Sequence, residues 1–547
     1  MSSPRTAHVA APPQEYLHRI RSLLAEWSVS ASSRVWWFAV AVAVIVGALL
    51  RLPPVLGADF PVNDGGLFYR MTEELRDAHY VLPATTSYNL AGIPFGYPPL
   101  GFYLAGFIAD VTGVPLLDVV RVLPAVVSTL TLPVFFLLAR ALLESAAQGA
   151  IATFVFALLP RTFSWFIMGG GLTRAPGLLF ALLLVHQTYL MYTRPERRYV
   201  ATTALVGALA VLSHLENAWF AAYSAALLFL LHGRDRRGIV RTVVVTAGVL
   251  ALTAPWWGTV LSYHGLDAFA AAAQGGRLLM EPTWLKTFNF TDEPQLTLFG
   301  VLGLIGVFVA LARRQWVFPL WLGAIYLLNP RNPKTVAAVP LAMLVALALY
   351  HVIVPGILRL APREAAGSSP KASWRRYTTA VAAAMLAFLT AYSFLSVRRM
   401  RDLDEGYGVL TAADRASLDW IRTNTPPDAR IIVLSFEPAW FGYDRVTEWL
   451  PALTRRASVS TVQAYEWLPN HEFDRRIRRY DALRACQTRD VSCVERWAAL
   501  DGTRFSHVLL RKEGCCALLE SSLRASPAYR LLADRPDAAV FAHVDTP

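Results

Sequence analysis

Asp64 stands in Val62-Asn63-Asp64-Gly65-Gly66-Leu67-Phe68-Tyr69, just ahead of a helical pattern that runs to about residue 78. A carboxylate there does one of three things. It caps the helix, acts as general base on an acceptor hydroxyl or amine, or helps hold a divalent cation such as Mg or Mn. Ser213-His214-Leu215-Glu216-Asn217 offers a second carboxylate, Glu216, and a proton carrier or ligand, His214. These are either turn residues meeting water or site residues, since ionisable groups beside a bilayer are often functional. Arg174 follows the glycines 169–171 in a turn that matches no phosphate-loop pattern. Glycines there ease a tight turn and close helix packing. Arg331 and Lys334, in Asn329–Lys334, suit a lipid phosphate, with Arg331 able to grip two oxygens. The alternative for both is interfacial snorkelling.

The elements that carry these residues are membrane spans. The 547 residues are 55% hydrophobic and 16% charged, with a mean hydropathy of +0.40. Apolar runs of roughly 17–22 residues recur, long enough to cross a hydrocarbon core. The expected class is an α-helical polytopic membrane protein, not a β-barrel of short alternating segments. About eleven spans are readable, near 35–51, 119–139, 146–162, 175–193, 199–213, 217–232, 239–259, 295–312, 316–329, 335–357 and 377–397. The arm 1–34 is not a cleavable signal, so the first span stays as an anchor.

The net charge of +12 reads as membrane orientation and not as a nucleic-acid footprint. Arginines gather in the arm 1–34, at 194–198, 234–241 and 313–314, and between 359 and 376. The positive-inside rule makes that side cytoplasmic. The opposite face then receives outer loop 51–118, the turn 163–174, Ser213–Asn217, outer loop 260–294, Asn329–Lys334 and the tail. This holds if 97–112 lies along the interface as an amphipathic helix instead of crossing. The loop 260–294 carries His264, Asp267, Arg277, Glu281, Lys286, Asp292 and Glu293 and is long for a bundle connection. Outer loop 51–118 also carries Asp59, Glu73, Glu74 and Asp77.

Beyond the membrane domain 35–397, composition turns polar. Residues 398–547 read as a soluble extracytoplasmic α/β domain. Thr411 caps a helix to about 424, and strands are expected at 429–435, 507–511 and 538–543. The cysteines, at 486, 493, 515 and 516, all fall in this tail. An oxidising compartment permits a Cys486–Cys493 bridge. Cys515 and Cys516 read as one further bridge partner and one free thiol.

The order of features resembles the GT-C membrane glycosyltransferases, the group of oligosaccharyltransferase catalytic subunits, protein O-mannosyltransferases and lipid A aminoarabinose transferases. The resemblance rests on Asp64 after the first span, Tyr97-Pro98-Pro99-Leu100-Gly101-Phe102-Tyr103, Arg121-Val122-Leu123-Pro124 and the Gly170–Arg174 turn, and covers roughly 35–397. It implies a polytopic plasma-membrane enzyme with a cytoplasmic N-terminus and an extracytoplasmic tail. It further implies transfer of a sugar from a polyprenyl-phosphate donor to a glycan, lipid or protein acceptor. Asp64 would be the base, with Glu216 and His214 beside it. Arg331, Lys334 and Arg174 would hold the lipid phosphate, and Tyr69, Tyr97 and Tyr103 would line the substrate. Many members have paired acids where this chain has Asn63-Asp64, and the 169–177 turn lacks the acid of the oligosaccharyltransferase branch; both departures argue against a metal-dependent mechanism. A transporter or flippase, or a non-catalytic scaffold presenting the tail, are the rival classes. The spans lack the charged or broken centres expected of a transporter.

Overall fold

The computed structural model describes residues 33–274, 298–329, 333–358, 370–402, 407–435, 440–500, 502–512 and 516–544. Each apolar run read from the sequence lies in or against a helix. Among the described residues six helices are long and apolar enough to cross a membrane: Arg34–Leu56, Leu116–Leu143, Gly171–Thr193, Arg236–His264, Pro333–Leu358 and Thr379–Arg399. Shorter apolar helices are Ala146–Leu158, Arg198–Ser213, Leu298–Ala312 and Val317–Leu328, and Leu215–His232 joins the same bundle. The chain is a multi-pass membrane protein. Helix Pro333–Ala348 is buried at nearly every position. Helix Arg236–His264 is mostly exposed although apolar, as a surface facing hydrocarbon should be.

Arg51 shows how the bundle fixes the turn that follows Ala146–Leu158. It is fully buried near the end of the first helix. It donates to Ser128 Oγ (3.3 Å), the carbonyl of Ala157 (2.9 Å) and Thr162 Oγ1 (3.1 Å). Its guanidinium also lies 4.6 Å from the Phe163 ring centroid. A buried cation needs such a full set of acceptors, so one side chain ties three segments together below the Gly-rich turn.

The segment Leu100–Thr112 is a helix of 13 residues. At 1.5 Å per residue that is about 20 Å, short of the roughly 30 Å core. It buries Phe102, Ala105 and Ala109 and exposes Leu104, Phe107 and Val111. An apolar exposed stripe of this kind suits an interfacial helix.

The tail forms a five-stranded sheet, order β4-β3-β5-β7-β6, from β3 (Arg430–Leu434), β4 (Ala457–Ser458), β5 (His507–Arg511), β6 (Tyr529–Asp534) and β7 (Ala538–His543). Strand β3 runs parallel to β4 and β5, and β7 is antiparallel to β5 and β6. β1 (Thr85–Thr86) and β2 (Ile93–Pro94) make a small hairpin in the first loop. Thr411 caps helix Ala412–Asn424 through a capping box with Asp414. Cys486 and Cys493 are bridged. Cys516 is also disulfide-bonded, so the expected free thiol is not found among the described cysteines.

One expectation changes. The loop expected from 260 begins instead as helix: Arg236–His264 runs on to His264, whose Nε2 lies 2.6 Å from the carbonyl of Ala84, and Asp267–Gln274 is a further short helix. The remainder of that loop, with Arg277, Glu281, Lys286, Asp292 and Glu293, lies outside the described residues. The first loop and the tail share one apolar core. Phe60 packs edge-on against Trp449 (4.6 Å), Tyr88 donates its hydroxyl proton to the carbonyl of Glu448 (2.7 Å), and Val62 bridges Val409.

Candidate active site

The turn 62–66 is built from both sides. Asn63 adopts a left-handed backbone (φ 54°) that Asn tolerates. Its side chain donates to the carbonyl of Gly442 (2.9 Å), and its own carbonyl accepts from Trp449 Nε1 (3.0 Å). Asn63 is therefore a structural residue. Asp64 does not cap the following helix Gly66–Asp77, whose N-cap is Gly65 without a side-chain bond. Its carboxylate turns the other way. Oδ1 accepts from the backbone N–H of Gly170 (2.8 Å), and Oδ2 is ion-paired with Arg174 Nη2.

This close approach explains the glycines. A Cβ at Gly169 would run into the carbonyl oxygen of Asp64, and one at Gly170 would lie 2.6 Å from Asp64 Oδ2. The backbones of the two turns touch, and only glycine leaves room. Gly169 N–H also donates to the carbonyl of Val62 (2.9 Å).

Arg174 is held on three sides. Besides Asp64 it donates to the carbonyl of Trp165 (3.1 Å) and lies over the Trp165 ring at 4.2 Å. Its own carbonyl accepts from Asn217 Nδ2 (3.0 Å). A small cleft opens on its far side, lined by Trp165, Phe166, Arg174, His214, Glu216, Asn217, Thr335 and Val336. The structure thus brings together Asp64, Arg174, His214 and Glu216, from turns far apart in sequence. Lys334 sits in the first turn of Pro333–Ala348, next to the cleft residues Thr335 and Val336. Arg331 lies outside the described residues.

His214 accepts the N–H of Asn217 on Nδ1 (3.3 Å) and caps helix Leu215–His232. Burial and the nearby Arg174 cation push its pKa down to about 3, so it is neutral at physiological pH. That removes it as a charged proton carrier. The three tyrosines do not line this cleft. Tyr69 donates to Glu73 Oε1 (2.8 Å) and Tyr103 to the carbonyl of Tyr80 (2.9 Å). Tyr97 donates to Glu466 and packs between Phe68 and Trp467. Three other acids of the first loop have structural partners: Asp59 pairs with Arg415 (2.5 Å), and Arg70 pairs with both Glu73 and Glu74 (3.1 Å each).

The residue the sequence did not reveal is Glu448. It lies on helix Arg445–Thr454 of the tail and is 4% exposed. Its Oε1 accepts from the N–H of Gly65 (2.8 Å), 383 positions away, and of Gly66 (3.2 Å). Burial, and next the negative charge of Asp64, raise its pKa to about 8. Glu448 is then a neutral acid at pH 7. Glu448 thus places an acid of the tail beside Asp64.

These residues do not fit a divalent cation. Among the described residues no group of three His, Cys, Asp or Glu side chains converges. The outward oxygen of Asp64 already faces a guanidinium, and Glu448 Oε1 is taken by two N–H groups. Arg174 supplies positive charge at this carboxylate.

With the geometry in hand, the relatives can be compared. Residues 97–258 match the family described as dolichyl-phosphate-mannose-protein mannosyltransferase. No curated protein matches the chain in sequence. The Archaeoglobus fulgidus oligosaccharyltransferase AglB, solved with an inhibitory peptide and a dolichol-phosphate, has a TM-score of 0.56 at 15% identity, over 94% of this chain and 75% of that one. Apo ArnT from Cupriavidus metallidurans gives 0.54 at 15% identity, over 94% and 99%. The mycobacterial arabinofuranosyltransferase AftD gives 0.55 at 15% identity, over 94% of this chain but 40% of that one. The chain shares its fold with these three proteins. The likeness to these structures is one of fold, and the family match covers the 97–258 segment. The matched segment contains Arg174, His214 and Glu216 but not Asp64.

Proposed function

We propose that the chain transfers a sugar from a polyprenyl-phosphate donor to an acceptor on the extracytoplasmic face, with Asp64 as general base. The observation that carries this reading is the Asp64–Arg174 ion pair, of which Arg174 lines the cleft. Arg174 is ion-paired with the Asp64 carboxylate, the group that takes the acceptor proton in this reading. It is also a cation with donors to spare for a phosphate. That AglB was solved with a dolichol-phosphate supports a lipid phosphate as the leaving group here.

In this reading the acceptor O–H gives its proton to the Asp64 carboxylate as its oxygen bonds to the anomeric carbon. The bond from that carbon to the phosphate oxygen breaks, and the electron pair leaves on the polyprenyl phosphate. Arg174, shared between Asp64 and the departing phosphate, balances the charge that develops there. Lys334, adjacent in sequence to the cleft residue Thr335, is a second cation for the phosphate in this reading. Glu216 faces the cleft and orients the acceptor or sugar hydroxyls, while His214 shapes the floor as a neutral cap. The N-terminal arm lies in the cytoplasm, and 398–547 form the extracytoplasmic domain.

The test is a donor panel. Purified protein in lipid is given polyprenyl phosphates carrying different sugars, with candidate glycan, lipid and peptide acceptors. Acceptor-dependent release of polyprenyl phosphate supports the reading. Turnover of none of the donors contradicts it.

A further inference from the structure

A second cleft, of about 380 Å³, lies in the tail where β3 and β5 begin. It is lined by Arg430, Val459, Arg476, Arg479, Gly502, Thr503 and Arg504. Four guanidiniums converge there, and no carboxylate is among the lining residues. Like charges gathered in a concavity repel one another and focus a positive potential into it.

The arginines are also held in place. Arg430 Nε donates to the carbonyl of Arg504 (2.9 Å). Arg476 donates to the carbonyl of Val459 (3.1 Å) and lies 4.1 Å over the Tyr465 ring. Arg479 donates to Thr503 Oγ1 and lies 4.7 Å over Trp497. Glu472 is shared by Arg475 (2.6 Å) and Arg476 (3.1 Å). Among the described residues the terminal nitrogens of Arg430 and the guanidinium of Arg504 make no hydrogen bond or ion pair. Side chains fixed at one edge with donors left over lose little freedom on binding an anion. The volume falls in the range of small-ligand sites.

We propose that this cleft binds a phosphate- or carboxylate-bearing saccharide, the acidic part of the acceptor glycan. Anion binding rests on the cleft alone; its assignment to an acceptor rests on the glycosyltransferase reading. The tail would then select acceptors by charge, apart from the Asp64 chemistry.

Titration calorimetry of the full-length protein in detergent tests this, with glucose 1-phosphate and glucuronate as probes and glucose and inorganic phosphate as controls. The wild type should bind the acidic sugars, more weakly as salt rises, and should not bind glucose. Arg430→Ser/Arg504→Ser should weaken that binding at least tenfold. Arg504→Ser alone, at an exposed side chain that holds nothing in the fold, should weaken it severalfold, so misfolding of the double variant does not blur the result. Arg174→Gln should leave it intact. Binding unchanged in Arg504→Ser and the double variant, or lost only with Arg174→Gln, overturns the site. Inorganic phosphate binding as tightly as glucose 1-phosphate overturns the saccharide assignment. Transfer activity is not needed for any of these readouts, so failure of the donor panel and failure of this site are separate results.

Discussion

Replacing Glu448 by glutamine and by alanine separates what its shape does from what its charge would do. The carboxyl Oε1 receives two backbone N–H groups of the turn that carries Asp64. Glutamine keeps a carbonyl oxygen there and, like the protonated acid, is neutral. Alanine leaves both N–H groups buried and unpaired, at about 1–3 kcal/mol each, or about 2–6 kcal/mol together. Against a typical total of about 5–15 kcal/mol, that is a large fraction. The expected outcome is near-wild-type activity for Glu448→Gln at pH 7. Glu448→Ala should unfold at markedly lower temperature and lose at least tenfold in kcat, because the Asp64 turn is no longer fixed. The pH dependence supplies the sign. The pKa of Glu448 is raised from 4.5 to about 8, so the folded chain keeps a proton that the unfolded chain releases. Its contribution to stability therefore falls as pH rises from about 4.5 to about 8, and is level above that. Above about pH 8 it ionises beside Asp64, and activity should decline. Glu448→Gln should lack that decline. Thermal unfolding and kcat, measured from pH 6 to 9 on all three proteins, decide the matter. Alanine behaving like glutamine, or glutamine as damaging as alanine, refutes the reasoning.

Gly169→Ala should displace the Asp64 backbone, since the added carbon meets its carbonyl oxygen. Overpacking of this kind costs about 1–3 kcal/mol, and kcat should fall tenfold or more; full activity would show that the contact is not needed. Removing the Cys486–Cys493 bridge, with 7 positions between its ends, should cost about 2–3 kcal/mol by loop entropy. Differential scanning fluorimetry of the double serine variant reads that cost, and an unchanged melting temperature contradicts it. A cysteine introduced at Val81, which is 67% exposed, should react with an impermeant thiol reagent from outside. One introduced at Glu196 should react only from inside. Labelling of both from one side would overturn the orientation.

The membrane bundle was legible because burying a helix in hydrocarbon demands long apolar runs, and those runs are written locally. Thr411–Asp414, Cys486–Cys493 and the strands β3, β5 and β7 were legible for the same reason: each is a short-range pattern. Asp64 stood out by type and place. What faces it did not. Glu448 reads as one polar residue on an amphipathic helix, and nothing within ten residues of it indicates that it lies against Gly65. The apparent lack of a second acid at Asn63-Asp64 was a property of the local sequence and not of the folded site. The tyrosines were misleading for the converse reason. Aromatic residues near an interface suggest substrate contact, yet Tyr69, Tyr97 and Tyr103 are engaged with Glu73, Glu466 and Tyr80. The glycines 169–171 fit no phosphate loop because their task is to admit the backbone of another turn.

The central claim is that Asp64, fixed by Gly170 and Arg174, takes the acceptor's proton. Asp64→Asn tests it most directly, in a transfer assay with whichever polyprenyl-phosphate donor the wild type turns over. Asparagine retains an acceptor for the Gly170 N–H but loses the charge and the basicity. The expected result is a folded protein whose rate is lower by about 10²–10⁴-fold. A folded Asp64→Asn protein with the wild-type rate would contradict the account.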